Sequence, residues 1–102
     1  MSRTDPIIHC GIQTLSFAQL DHLNGFTKGT TFRLFKAARE QLVEDRDYFH
    51  LPYPSNGPFI EALKASGQVY ASTVNLVLLS RDGYTRLRQI TQGAERDPAR
   101  RG

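Results

Sequence analysis

The stretch GFTKGTTFRLFKAAREQL, Gly25 to Leu42, begins with a turn residue and small hydroxyl side chains and continues as a helical pattern carrying four cations. At about 100° per residue, Leu34, Ala38, Thr31, Leu42 and Phe35 fall within one arc of roughly 100°. Lys28, Arg33, Lys36 and Arg39 take the opposite side, interrupted by Glu40 and by Phe32, which the pattern leaves exposed. Gly25 suits the left-handed backbone that closes a preceding helix, and Thr27 is placed to cap the amide groups of the next one.

Upstream, Ser16 precedes FAQLDHLN, where Phe17, Leu20 and Leu23 recur at helical spacing, so a short helix of about two turns begins there. The minimum reading of residues 16–42 is therefore helix, three-residue turn, helix, with Phe26 filling the core. GIQTL, Gly11 to Leu15, alternates as a short strand does. Residues 1–10 show no pattern and read as an N-terminal arm.

Downstream, DYFHL (47–51) reads as a strand and PYPSNGP (52–58) as a loop, because Pro and Asn-Gly oppose regular structure. FIEALKASG predicts a short helix closed by Gly67. The β-branched and apolar VNLVLL predicts a second strand, starting near Thr73. SRDGYTRLRQI follows as a helix with Tyr84, Leu87 and Ile90 on one face, leaving Arg81, Arg86 and Arg88 for solvent or phosphate. Gly83 weakens its first turn by about 1 kcal/mol relative to Ala. The folded domain is thus 11–92, and 93–102 is a disordered basic tail.

The 102 residues suffice for one domain with a modest core, and 39% apolar and 23% charged composition is globular. No run of about 18 apolar residues is present, so no membrane span is expected. No signal-peptide pattern opens the chain. Cys10 is the single cysteine, which excludes an internal disulfide and fits a cytoplasmic setting. The formal net charge of +3 permits an anionic partner. Cations concentrate in Thr27–Arg46 and in Ser80–Gly102, while Asp47–Leu79 carries only Asp47, Glu61 and Lys64.

No catalytic or cofactor-binding constellation emerges. His9, Cys10, His22 and His50 lack zinc-ligand spacing, and no metal or cofactor is expected. There is no Gly-x-Ser-x-Gly, Gly-x-Gly-x-x-Gly or Walker-type loop, so the chain does not read as an enzyme. Asp45 and Asp47 read as parts of a polar connector.

Gly25 to Leu34 resembles the turn and second helix of helix-turn-helix proteins. Three positions depart from that pattern: Asp21 stands where a small Ala is usual, Asn24 where an apolar residue is, and Thr31 where a larger aliphatic is. From Ser16 to Leu87, the order helix-turn-helix, DYFHL, insertion and LSRDG is similar to the amino-terminal DNA-binding domain of phage antirepressor and KilA-N-type proteins. The resemblance implies a phage or prophage origin. It also implies an α+β, winged helix-turn-helix-like domain with a two- or three-stranded antiparallel sheet and a C-terminal helix.

Residues 52–71 would then form an enlarged wing, whose lone Lys64 suits a connector better than a phosphate-tracking surface. Double-stranded DNA is the partner this implies, with the second helix in the major groove. Arg33 and Thr30 would meet base edges, and Lys28, Lys36 and Arg39 phosphates. One module offers a small interface, so a homodimer or repeated sites are expected. The alternative is a phage-encoded inhibitor of a host protein or a nucleic-acid-handling defence complex. The departures at Asp21 and Asn24, exposed Phe32, and the aromatics Tyr53 and Phe59 point that way.

Overall fold

Four successive apolar residues in LVLL (76–79) can all be buried only if both faces of their strand are covered. In the computed structural model, which describes residues 4–95, both faces are covered: Leu76, Leu78 and Leu79 are buried and Val77 is half-buried. Val77 and Leu79 pack with Leu20, Phe35, Ala38, Leu42, Tyr48 and Leu87. Leu76 and Leu78 pack with Ile7, Ile60, Leu63 and Val69. Two small cores therefore lie back to back across one sheet.

The chain forms β1 (Ile7–His9), β2 (Ile12–Ser16), α1 (Phe17–Leu23) and α2 (Thr30–Ala38), the last running into a single 3-10 turn at Arg39–Gln41. It continues through β3 (Tyr48–Leu51), α3 (Tyr53–Ser66), β4 (Leu76–Ser80) and α4 (Arg81–Glu95). The sheet order is β1-β2-β4-β3 with every pair antiparallel. Residues of α1, α2 and α4 build the first core, and α3 supplies Ile60 and Leu63 to the second. No helix among the described residues is long and apolar enough to cross a membrane.

The α+β class matches the sequence reading, but the sheet has four strands, not two or three. The extra strand is β1, inside the segment read as an arm. Its hairpin to β2 turns through Cys10 and Gly11, both at positive φ (51° and 77°). Ile7 is buried beneath α3 while Ile8 points outward. Three residues are too few to show alternation.

PYPSNGP is not a loop either. α3 starts at Tyr53 and kinks at Asn56, whose φ of −135° breaks the helix before it resumes. Pro54 and Pro58 each sit within a first helical turn, where a missing N–H costs little. Asn56 Nδ2 donates to the Pro52 carbonyl at 3.0 Å, bridging the break. Tyr53 and Phe59 pack against the second core, which accounts for them without a partner.

Ser16 caps α1 as expected, in a capping box with Gln19. α4 continues through Gly93 to Glu95, so the tail reading begins too early, and its remainder, 96–102, lies outside the described residues.

Gly83 has a clear reason. A Cβ there would lie 1.7 Å from the Asp47 carbonyl oxygen, so only glycine lets α4 start against the chain entering β3. Ser80 caps that start by accepting the Gly83 N–H at 3.0 Å, and its hydroxyl donates to the Arg46 carbonyl at 2.8 Å. The weak helix former in LSRDG is the residue that makes the junction possible.

Candidate nucleic-acid interface

α1 and α2 pack against each other, but six residues (24–29) separate them, not three. The cause is where α2 starts. Thr27 does not cap it. The helix begins at Thr30 after Gly29, whose φ of 89° needs no Cβ in the way. Its cap comes from α1 instead. Asp21 Oδ1 accepts the Thr31 N–H (2.8 Å) and hydroxyl (2.7 Å), and Oδ2 accepts the Gly29 N–H (2.9 Å).

The Tyr70 hydroxyl also donates to Asp21 Oδ2 at 2.6 Å, tying the segment after α3 to the same carboxylate. Asp21 is 2% exposed. Burial alone would raise its pKa, but the bonds from Tyr70, Thr31 and Gly29 outweigh burial and hold it below its usual value. Burial, followed by the bond to Asp21 and the charge of that carboxylate, pushes the Tyr70 hydroxyl up to about 12.

Asp21 is thus a carboxylate latch joining α1, the start of α2 and the segment after α3. Asn24 is explained as well: its amide donates to the Leu20 carbonyl at 2.8 Å and to the Tyr84 hydroxyl at 3.0 Å, linking the end of α1 to α4. Thr31 is small because it reaches Asp21. Phe26, expected in the core, is 41% exposed.

Lys28 lies in the turn, exposed, with Nζ 5.0 Å from the centroid of the Tyr70 ring. Thr30 opens α2 half-buried, its hydroxyl 3.0 Å from that of Thr27 and accepting from Arg33 Nη2 at 3.3 Å. Arg33 and Lys36 are exposed on α2, and Lys36 Nζ lies 5.3 Å from the Phe32 ring centroid. Arg39 is exposed in the 3-10 turn. Thr30, Arg33, Lys36 and Arg39 follow one another at i, i+3 spacing, which makes a ridge winding slowly around the helix.

Three cations outside this ridge are ion-paired, whereas Arg81 and Arg88 on α4 are exposed and, like the ridge, hold no carboxylate among the described residues. Among the described residues, ion pairs join Arg46 to Asp47 (3.5 Å), Arg86 to Asp47 (3.4 Å) and Lys64 to Glu61 (3.2 Å). None engages Lys28, Arg33, Lys36 or Arg39. Arg86 also donates to the Gln41 carbonyl at 3.1 Å, so it is not left for phosphate. Asn56 is spent on the helix kink and Lys64 on Glu61, which agrees with a connector.

The sequence reading missed Asp21 as a cap, Tyr70 as its partner, and Asp47 as the fully buried anchor of the β3–α4 junction. A carboxylate beside Leu20 on the inner face of a short helix, followed by a turn rich in Gly and Thr, is the signal that was present for the first. Among the described residues no group of three or more His, Cys, Asp and Glu could hold a metal ion.

No family model matches the chain, and no curated protein or solved structure matches it significantly.

Proposed function

We propose that this chain is a small DNA-binding regulator of the winged helix-turn-helix kind, with α1 and α2 as the helix pair and α2 in the major groove. The observation that carries the reading is that Arg33, Lys36 and Arg39 on one exposed ridge, with Lys28 in the turn before it, hold no carboxylate among the described residues, while Arg46, Lys64 and Arg86 are ion-paired. A cation kept free of carboxylates attracts phosphate at the least desolvation cost.

The Asp21 latch sharpens how α2 would work. Helix amino termini often bind phosphate through free amides. Here the Gly29 and Thr31 amides already serve Asp21, so side chains must make the contacts. Arg33 and Thr30 would address base edges; Lys28, Lys36 and Arg39 would address phosphates. Three phosphate cations alone give modest affinity, so two copies on repeated sites are part of the proposal. The phage or prophage setting rests on the resemblance to antirepressor and KilA-N-type domains, and the cytoplasmic location on the single cysteine.

The test is binding of labelled duplexes that tile the DNA flanking its own gene, measured across a salt series. The expected slope of log affinity against log salt is about −3 or steeper, near −0.9 for each neutralised phosphate. A flat dependence, or no binding at low salt, overturns the proposal.

A further inference from the structure

Beside the amino-terminal end of α2 the surface changes character. Phe17, Phe32, Val74 and Val77 help wall a groove of about 340 Å³ between the helix pair and the segment leading into β4. Phe32 is 46% exposed and Val74 62% exposed. The Phe17 and Phe32 rings lie 5.7 Å apart. Large apolar side chains gathered at one concave place are a recognition feature rather than ordinary scattered exposure.

The charge around this groove is of one sign. Lys28 is the single charged residue among those lining it. Lys36 adds a second cation beside it, its Nζ 5.3 Å from the centroid of the Phe32 ring that lines the groove. Neither lysine has a carboxylate partner among the described residues. An occupant matching both features needs a large apolar side chain flanked by acids. A second copy of this chain, with its net charge of +3, is a poor match.

We propose that this groove docks a short acidic segment of a partner protein. Its apolar anchor sits between Phe17, Phe32 and Val74, and its carboxylates meet Lys28 and Lys36. The volume lies at the small end of known ligand sites, which suits one or two side chains rather than a long helix face. The groove shares Lys28 and Lys36 with the phosphate contacts proposed for DNA, so the two ligands would compete, but it can be occupied with no DNA present.

The probe is a fluorescein-labelled acidic peptide with a central Leu-Phe pair, titrated with the full chain in the absence of DNA. Saturable binding is expected, and Val74→Glu and Lys28→Glu should each weaken it by about tenfold. A peptide carrying Ser in place of the Leu-Phe pair should lose binding to a similar degree. Val74 is exposed, so the unfolding curve of V74E should overlay that of the parent chain.

Absence of saturable binding overturns the proposal. So does equal affinity for the Ser-containing peptide, which would show ionic attraction without docking, or equal affinity of V74E. Because the assay contains no DNA, its failure would leave the DNA reading standing, and failure of the salt series would leave this one standing.

Discussion

Two regions of the molecule hold arginines and use them in opposite ways. At the β3–α4 junction, Arg46 and Arg86 converge on the fully buried Asp47. Asp47 Oδ2 also accepts the Val43 N–H at 2.8 Å, and its carbonyl accepts the Ser80 N–H at 3.0 Å. Along α2 and its 3-10 turn, Arg33, Lys36 and Arg39 have no carboxylate partner among the described residues. The first arrangement stabilises a close approach of chain segments; the second leaves charge available to something outside. Function is therefore better sought where charge is unspent than where it is densest.

The junction should be the more fragile of the two. Gly83→Ala forces a methyl group into the Asp47 carbonyl, so α4 must shift away from β3. A loss of about 3 kcal/mol is expected, at the upper end of overpacking costs, read as a lower midpoint in denaturant unfolding. A variant as stable as the parent would show that the junction is looser than its geometry.

The Asp21 latch stands between the two regions, because it is structural in chemistry and lies under the functional ridge. Asp21→Ala removes the cap of α2 and leaves the half-buried Tyr70 hydroxyl and two amides without their acceptor; about 2 kcal/mol is expected. Tyr70→Phe deletes one of those bonds and should cost about 1 kcal/mol.

Its pH dependence has a definite sign. Asp21 has a depressed folded pKa, so its contribution is present above the ordinary carboxylate range and is lost as pH falls through the lower folded value. Tyr70 has a raised one, so its contribution is complete below its ordinary value of 10.0 and is lost as pH rises towards about 12. Thermal unfolding of parent and Y70F chains across that alkaline window should converge as the pH rises. Curves that stay parallel would remove Tyr70 from the latch.

These residues also show why part of the molecule was legible in the sequence and part was not. Ser16 as the cap of α1, or Leu34 and Ala38 one turn apart, act through neighbours a few positions away, so periodicity and capping rules find them. The α+β class followed from those local signals. Asp21 is bonded to Tyr70, 49 residues on, and Asp47 to Arg86; no local pattern encodes such pairs. Long-range packing likewise decided the fate of β1, a strand of three residues, and of the proline-rich start of α3. The cationic ridge was visible as a list of residues. Its freedom from ion pairs became visible only when Arg46, Lys64 and Arg86 were seen to be paired and the ridge was not.

The smallest stability change belongs to the ridge itself, and it is the sharpest test of the comparison. Arg33→Ala and Lys36→Ala remove exposed side chains that hold no carboxylate, so each should change stability by less than about 0.5 kcal/mol. Arg33 gives up only its long bond to the Thr30 hydroxyl, at 3.3 Å. Their effects on DNA should differ from each other. K36A should weaken binding to all duplexes alike and lower the salt slope by about 1 for each bound copy, as loss of one phosphate contact per copy does. R33A should cost about 1–3 kcal/mol on a preferred duplex and much less on others. If both variants bind as the parent does, the ridge is a solvated face and its free cations have no nucleic-acid role. If both instead destabilise the fold, the division between spent and unspent charge is wrong at its root.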